Sequence, residues 1–448
     1  MSQFYLASLL AIGAALATPQ TPSSPKPEPS LPNPFVLKKD ELLKGNPLAQ
    51  YVELMRLEND FLKDVGLVEA FNGKPLNKGM AATYGQARAT VEGNLGAIRR
   101  SLRSQTIGWF YFPAKTATTG SPLDRMRPVS AVDYIVRQAD KHPYVMIGEE
   151  HMKPQTRTIL LPLLRRLYAK GFRYFAAETF YQAIKSAPVR GYPAWDDGYY
   201  IQDPVYAEAV REAIKLGYKL VPYEAEEQPK DAPKDDPWFN QNFREHLQAD
   251  NLKTRIFDHD PKAKVLVWAG RSHVVKVASK QDGGEFRPMA YEFKRMTGID
   301  PLSVYLPTDV EAAAPEYERE DYKYAADKGW IHGPTIFVGA HGGAYGLDEN
   351  EATVFFPRTT YVHGRPDWLA RNLGRVPRDI PASMVSRPGY LLAQAWKEGE
   401  PVQAIPIDQI LITPGDPVPV LMLPRGGSFW MRVIDPTGKV LGTSRLHT

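Results

Sequence analysis

The chain has 448 residues, 43% apolar and 24% charged, enough for one large core with extensions or for several smaller domains. Its net charge of +4 is spread without any Lys/Arg run, which argues against a nucleic-acid partner. With no cysteine, disulfides, thiolate zinc sites, a cysteine nucleophile and a lipoprotein anchor are all excluded.

The first element, Phe4–Ala17, "FYLASLLAIGAALA", has the length of a signal-peptide h-region and is short for a bilayer span. Ala15-Leu16-Ala17 offers a small-x-small cleavage site before Thr18, although the n-region carries no Lys or Arg. The expectation is a signal peptide over 1–17 and an exported protein, periplasmic or extracellular. No later segment reaches about 18 apolar residues, so no membrane span is expected after signal removal. Thr18–Phe35 is rich in Pro and Ser and reads as an extended tether. Residues 36–128 read as a helical extension. Within it, Leu48, Tyr51, Leu54, Met55 and Leu62 fall near one helical face, a packing pattern without visible chemistry.

From 129 to 310 the pattern changes. "VSAVDYIVRQADKH" predicts a helix capped by Ser130, and "YVMIGE" a strand. "QTRTILLPLLRRLYAKG" predicts an amphipathic helix ending at Gly171, then "FRYFAAET" a strand. "DPVYAEAVREAIKLG" predicts a helix ending at Gly217, then "YKLVPYEAE" a strand. "FNQNFREHLQADNLKTRIFDHD" predicts a further helix and "AKVLVWAG" a strand. This alternation predicts an α/β fold: a three-layer α/β/α core around a mainly parallel sheet. Beyond about 300 the regularity fades; "LSVYLP" and "TIFVGA" read as further strands. Residues 311–415 read as an irregular accessory region. Residues 416–448 alternate apolar and polar around two turns, Arg-Gly-Gly and Pro-Thr-Gly, and predict a small antiparallel β module.

Ligands of open parallel sheets bind at the carboxyl ends of the strands. The four predicted strands end in Gly148-Glu149-Glu150-His151, Glu178-Thr179, Glu224-Ala225-Glu226 and Gly270-Arg271-Ser272-His273. A single polar residue at a strand exit is most simply a helix cap or a surface charge. Two Gly-x-x-His motifs with a Glu between them are harder to read that way. Glycine permits a sharp turn and close backbone approach, and the histidine three residues on can point back over the sheet edge. His151, Glu178 and His273 are a ligand set for a catalytic divalent metal (Mn, Co or Zn) with an open position for water. Without metal, Glu149 or Glu150 beside His151 can fix its tautomer and make it a general base. Arg244 and Asn251, seven apart, share a helical face. Arg244 suits either an ion pair with Glu224 or Glu226 or the stabilisation of developing negative charge.

These residues resemble the Tiki/TraB, ChaN and erythromycin-esterase superfamily, which is marked by paired Gly-x-x-His motifs with an intervening Glu. The resemblance spans residues 129–308, and the "FREHLQADNL" helix resembles the one before the second motif in these proteins. It implies three activities. Tiki-like members are similar to metalloproteases with both motif histidines and the Glu near the metal. Erythromycin-esterase-like members are hydrolases in which a motif histidine activates water without a required metal. ChaN-like members bind haem iron. Carried onto this chain, the core is His151, Glu178 and His273, with Glu149, Glu150 and Arg244 beside them.

His341 sits in a Gly-rich loop flanked by His332 and His363, without the spacing of a nucleotide site. Asp348–Glu351 lacks the acidic residues and glycine of a calcium loop and reads as a solvated turn. The leading expectation is an exported hydrolase acting on a small-molecule or peptide ester or amide. The alternatives are a haem-binding protein without catalysis and a structural envelope protein using its β tail. The sequence sets no oligomeric state.

Overall fold

The computed structural model describes residues 32–65, 75–108 and 120–448, apart from 228, 230–232, 234–235, 282, 309 and 348. The expected signal peptide and nearly all of the tether lie outside the described residues.

After a short helix at Lys39–Leu43 come three longer ones: α1 (Pro47–Val65), α2 (Pro75–Asn94) and α3 (Ile98–Gly108). Leu48, Tyr51 and Leu54 of α1 are fully buried, as their spacing requires, while Met55 packs at the margin of the same cluster. The Leu62 side chain lies outside the described residues.

The core alternates as expected. α4 (Ala131–Gln138) begins where the Ser130 hydroxyl accepts the Asp133 N–H at 3.3 Å. β1 (Tyr144–Glu149) leads to α5 (Leu160–Ala169), and β2 (Tyr174–Ala177) to α6 (Pro204–Leu216). Gly217 closes α6 with φ of 87°, a left-handed cap that a side chain resists. β3 (Lys219–Pro222) leads to α7 (Phe239–Leu252), which continues as a π turn over Lys253–Phe257. β4 (Val265–Gly270), α8 (Met289–Thr297), β5 (Leu302–Tyr305) and the two-residue β6 (Ala352–Thr353) complete the core.

The six strands form one parallel sheet in the order β6-β5-β1-β4-β2-β3. Side chains alternate between faces along each strand. Val145, Ile147, Phe175, Leu266 and Trp268 pack against α4, α5 and α6. Met146, Ala176, Val265 and Val267 pack against α7 and α8. The architecture is therefore the expected three-layer α/β/α core. Because both faces are covered, the strands are continuous apolar runs, which is why they were legible.

Two elements differ from expectation. Thr335–Gly339 is a strand as expected, and it pairs antiparallel with Met126–Ser130, a strand the sequence reading missed. Pro128 hid it, since proline is tolerated only where no ladder N–H is needed. The C-terminal sheet also begins earlier than residue 416. It comprises β7 (Leu391–Lys397), β8 (Asp408–Ile412), β9 (Ser428–Ile434) and β10 (Val440–His447), antiparallel in the order β8-β7-β9-β10. β7 is buried on both faces, so it lacks the alternation that marks a half-exposed strand.

One face of this sheet closes the helical extension. Leu392, Leu411 and Ile434 share a cluster with Leu48, Tyr51, Leu54 and Val91. Leu411 N–H donates to Leu95 O at 2.9 Å, and Gln409 donates to Asn94 O at 2.9 Å. Leu392 is fully buried at this seam. Leu392→Ala should cost about 2–5 kcal/mol of unfolding free energy, measurable as a lowered urea midpoint. An unchanged midpoint would show that helices and sheet do not share a core.

Candidate functional site

The sheet order brings the predicted strand ends together. β4 lies between β1 and β2, with Glu149 opposite Gly270 and Ala177 opposite Trp268. The chain leaving β2 therefore carries Glu178 over the end of β4, where its Oε2 accepts the Gly270 N–H at 2.5 Å. Both motif glycines are needed for close approach. A Cβ on Gly270 would stand 2.8 Å from His151 Nε2 and 3.1 Å from Glu178 Oε2. A Cβ on Gly148 would stand 2.7 Å from Val274 Cγ2 and 3.1 Å from the Arg271 carbonyl oxygen.

Glu178 is the centre of the cluster. His151 Nε2 lies 3.7 Å from its Oε2, and His273 Nε2 lies 3.3 Å from its Oε1. Arg244, on α7, donates from Nη2 to Glu178 Oε1 at 2.7 Å and to Glu224 Oε2 at 2.6 Å, and from Nε to Glu224 Oε1 at 2.8 Å. Asn251, one face along α7, donates to the Tyr223 and Glu224 carbonyls at 3.1 and 3.3 Å. The ion pair expected between Arg244 and Glu224 is present, and the same guanidinium also reaches Glu178.

Each histidine is anchored from behind. His151 Nδ1 lies 2.9 Å from Glu149 Oε1, and its ring stacks on Tyr200 at 3.7 Å with 5° between planes. Arg157 donates to both Glu149 oxygens, at 2.7 and 3.0 Å, to the His151 carbonyl at 2.8 Å and to Asp203 at 3.0 Å. His273 Nδ1 lies 2.7 Å from Glu245 Oε2, which also accepts the Met289 N–H at 2.7 Å. Gln241 donates to the other Glu245 oxygen. The anchoring carboxylates are closed to solvent, at 1% and 0% side-chain exposure, whereas His151 keeps 16% and Arg244 18%. The open side of the cluster is therefore the side with the His151 edge and the guanidinium.

These contacts fix the charges. Burial works against an ionised Glu149, but Arg157 and His151 overcome it and hold the carboxyl at about 2. Burial likewise opposes ionised Glu178, and His273, His151 and Arg244 hold it well below the usual carboxylate range. Burial would lower His273, but Glu245 and Glu178 outweigh it and raise the imidazole to about 10. Burial, reinforced by Glu178, pushes the Tyr200 phenol far up, so it stays neutral.

The donor set does not fit a divalent ion as arranged. Glu178 is engaged by Arg244 and Gly270 N–H, and the guanidinium Nη1 lies 3.3 Å from His273 Nε2, where a ligand nitrogen would face its metal. Among the described residues no three His, Asp or Glu side chains form a metal-holding group.

Of the predicted residues, His151, His273, Glu178, Glu149 and Arg244 converge. Glu150 is buried, but among the described residues no hydrogen bond or ion pair joins its side chain to the cluster. His332, His341 and His363 are exposed and take no part in it. Glu351 is clamped by Lys276 and accepts the Ser303 N–H at 2.7 Å, so it braces β5. The sequence reading missed Glu245, Arg157, Asp203 and Tyr200. Glu245 adjoins Arg244 and was passed over because only positions seven apart were compared. Arg157 had a usable signal, a cation six residues past His151 on the entering helical turn.

No family model and no curated protein matches the chain. Among solved structures, the type III effector HopBA1 is similar over 53% of this chain and 99% of its own, at 15% identity and a TM-score of 0.31. Two structures of bacterial protein toxins are similar over 52% of this chain, at 13% and 12% identity and TM-scores of 0.31 and 0.29. The chain spans 45% of each toxin chain. Superpositions this loose bear on neither activity nor substrate.

Proposed function

We propose that the cluster is the active site of a hydrolase that cleaves an ester or amide bond in a small molecule or peptide by metal-free activation of water. One observation carries this reading. Two histidines, each anchored at Nδ1 by a buried carboxylate, direct Nε2 at the two oxygens of one glutamate.

The two histidines have different work. Ionised Glu149 can only accept, so His151 turns Nδ1–H to it and presents Nε2 as the proton acceptor. A water between that nitrogen and Glu178 gives its proton to Nε2 as its oxygen bonds to the substrate carbonyl carbon. His273, held as an imidazolium, and Arg244 supply positive charge to the oxygen that becomes negative. When the tetrahedral intermediate collapses, the bond to the leaving group breaks, and the leaving group takes the proton that His151 had accepted. Arg157 and Glu149 position His151; Glu245 positions His273.

His151→Ala and Glu178→Gln should abolish hydrolysis of a nitrophenyl ester panel while leaving the melting temperature near wild type. Glu149→Gln should lower kcat by about 10²–10⁴. Unchanged turnover in His151→Ala would remove the mechanism. Gly270→Ala should lower kcat more than it changes KM, because the new methyl meets His151 Nε2; full activity would show that the ring does not need that position.

The pH dependence follows from the same contacts. His273 is raised from its ordinary 6.5 to about 10, so its stabilising contribution is complete below 6.5 and disappears as pH rises through about 10. Glu149 is depressed from 4.5 to about 2, so its contribution is present above 4.5 and disappears as pH falls through about 2. Melting temperature should therefore decline at both extremes, and Glu245→Gln should move the alkaline decline to lower pH. An alkaline limb that Glu245→Gln leaves in place would separate His273 from it.

A further inference from the structure

The carboxyl edge of the sheet does not end at the reactive cluster. On the far side of β1 it continues over β5 and β6, whose exits lead to Glu311 and Thr359. The loop after β1 carries Lys153 towards this half, two residues past His151. The Lys153 charge acts on the Glu311 carboxyl, and Gln155 donates to the Pro357 carbonyl at 2.7 Å.

Lys153 is 4% exposed, yet among the described residues its ammonium makes no hydrogen bond or ion pair. Nζ is not one of the wholly occluded polar atoms that lack a partner, so the buried stem ends in an open tip. Glu311 is a poor counter-ion. Burial pushes its carboxyl up, Thr359 and Lys153 only partly oppose this, and its Oε2 already accepts the Thr359 N–H at 2.8 Å. An almost buried ammonium without a paired carboxylate is costly to keep unless something else completes it.

The loop is held in place without any ligand. Lys153 N–H donates to Glu150 O at 2.9 Å, and the Thr156 hydroxyl donates to Lys153 O at 2.8 Å. Between His151 and Lys153, the Met152 carbonyl accepts Ser101 Oγ at 3.2 Å and Gln105 Nε2 at 2.9 Å, both from α3. A cation fixed in this way loses little freedom on binding an anion.

We propose that Lys153 is the anion-binding residue of a subsite on the β5 side of the sheet's carboxyl edge, where it takes a carboxylate or phosphate group of the substrate. The word substrate rests on the hydrolase reading; anion binding at Lys153 does not. The ester or amide bond then lies at His151 and the anionic group lies across β1 from Glu178. An anionic ester is accordingly preferred over its neutral counterpart.

Calorimetric titration of the full chain with acetate and with inorganic phosphate tests this and separates the two anions. Wild type should bind at least one of them in the millimolar range. Lys153→Met should weaken that binding by about tenfold or more. Lys153→Arg should retain it, and Lys153→Met should melt no lower than wild type, since it removes an uncompensated charge. Equal binding by Lys153→Met, no binding of either anion by wild type, or a lowered Lys153→Met melting temperature would each overturn the proposal. His151→Ala should bind the anion like wild type. If no ester is hydrolysed but Lys153→Met still loses the anion, the hydrolase reading falls and the subsite stands.

Discussion

The ionised carboxylate of Glu178 is the constraint around which the cluster is arranged. A buried carboxylate is tolerated only when donors and cations surround it. Here they come from three separate places: the Gly270 amide at the end of β4, the Arg244 guanidinium from α7, and the two imidazoles of the motif loops. Each of the three side chains has its own second carboxylate, Glu224 for Arg244, Glu149 for His151 and Glu245 for His273. Positive and negative groups thus alternate outward from Glu178. Removing Glu178 would leave His273 and Arg244 facing each other across 3.3 Å with no charge between them.

The strand order makes this arrangement available. β4 enters between β1 and β2, so the amide at its end lies within reach of the glutamate leaving β2. Glycine at 270 lets the His151 ring close over the same spot. The fold also couples support to chemistry. Asp203 caps α6 by accepting the Val205 N–H at 3.0 Å, and its other oxygen takes Arg157, the residue that holds Glu149 behind His151. The start of a helix and the tautomer of a histidine therefore depend on one carboxylate.

Much of the core was legible because a sheet covered on both faces writes its strands as apolar runs, and the helices between them carry their own caps. The site was legible for the same reason: knowing where strands end locates the residues that follow, and Glu178, His151 and His273 were found that way. What sequence could not supply was the partner of each. Glu245 and Glu224 are two acids at unremarkable positions, and only packing decides that one serves His273 and the other Arg244. Packing likewise decides that His273 is raised by two carboxylates, Glu245 and Glu178, against the effect of its burial. A list of residue types also carries no information about the Arg244 guanidinium that came to lie among the motif side chains.

The regions without visible chemistry are joined to the site through packing. α3 grips the Met152 carbonyl, and Gly93 of α2 leaves room for Pro154, whose ring would come within 3.3 Å of a Cβ there. The helices α1 and α2 bury their apolar stripes against Leu392, Leu411 and Ile434 of the C-terminal sheet, while Ile98 of α3 packs with Trp368, Val420 and Met422. That sheet is in turn fastened to the core where Arg211 of α6 pairs with Glu400 at 2.8 Å. The His151 loop is therefore enclosed between the parallel sheet, which places its start, and the helical extension, which fixes its middle. On the proposed hydrolase reading, a loop held this way suits a general base, because small errors in placement cost large factors in rate. The extension and the C-terminal sheet would then serve that chemistry by holding geometry.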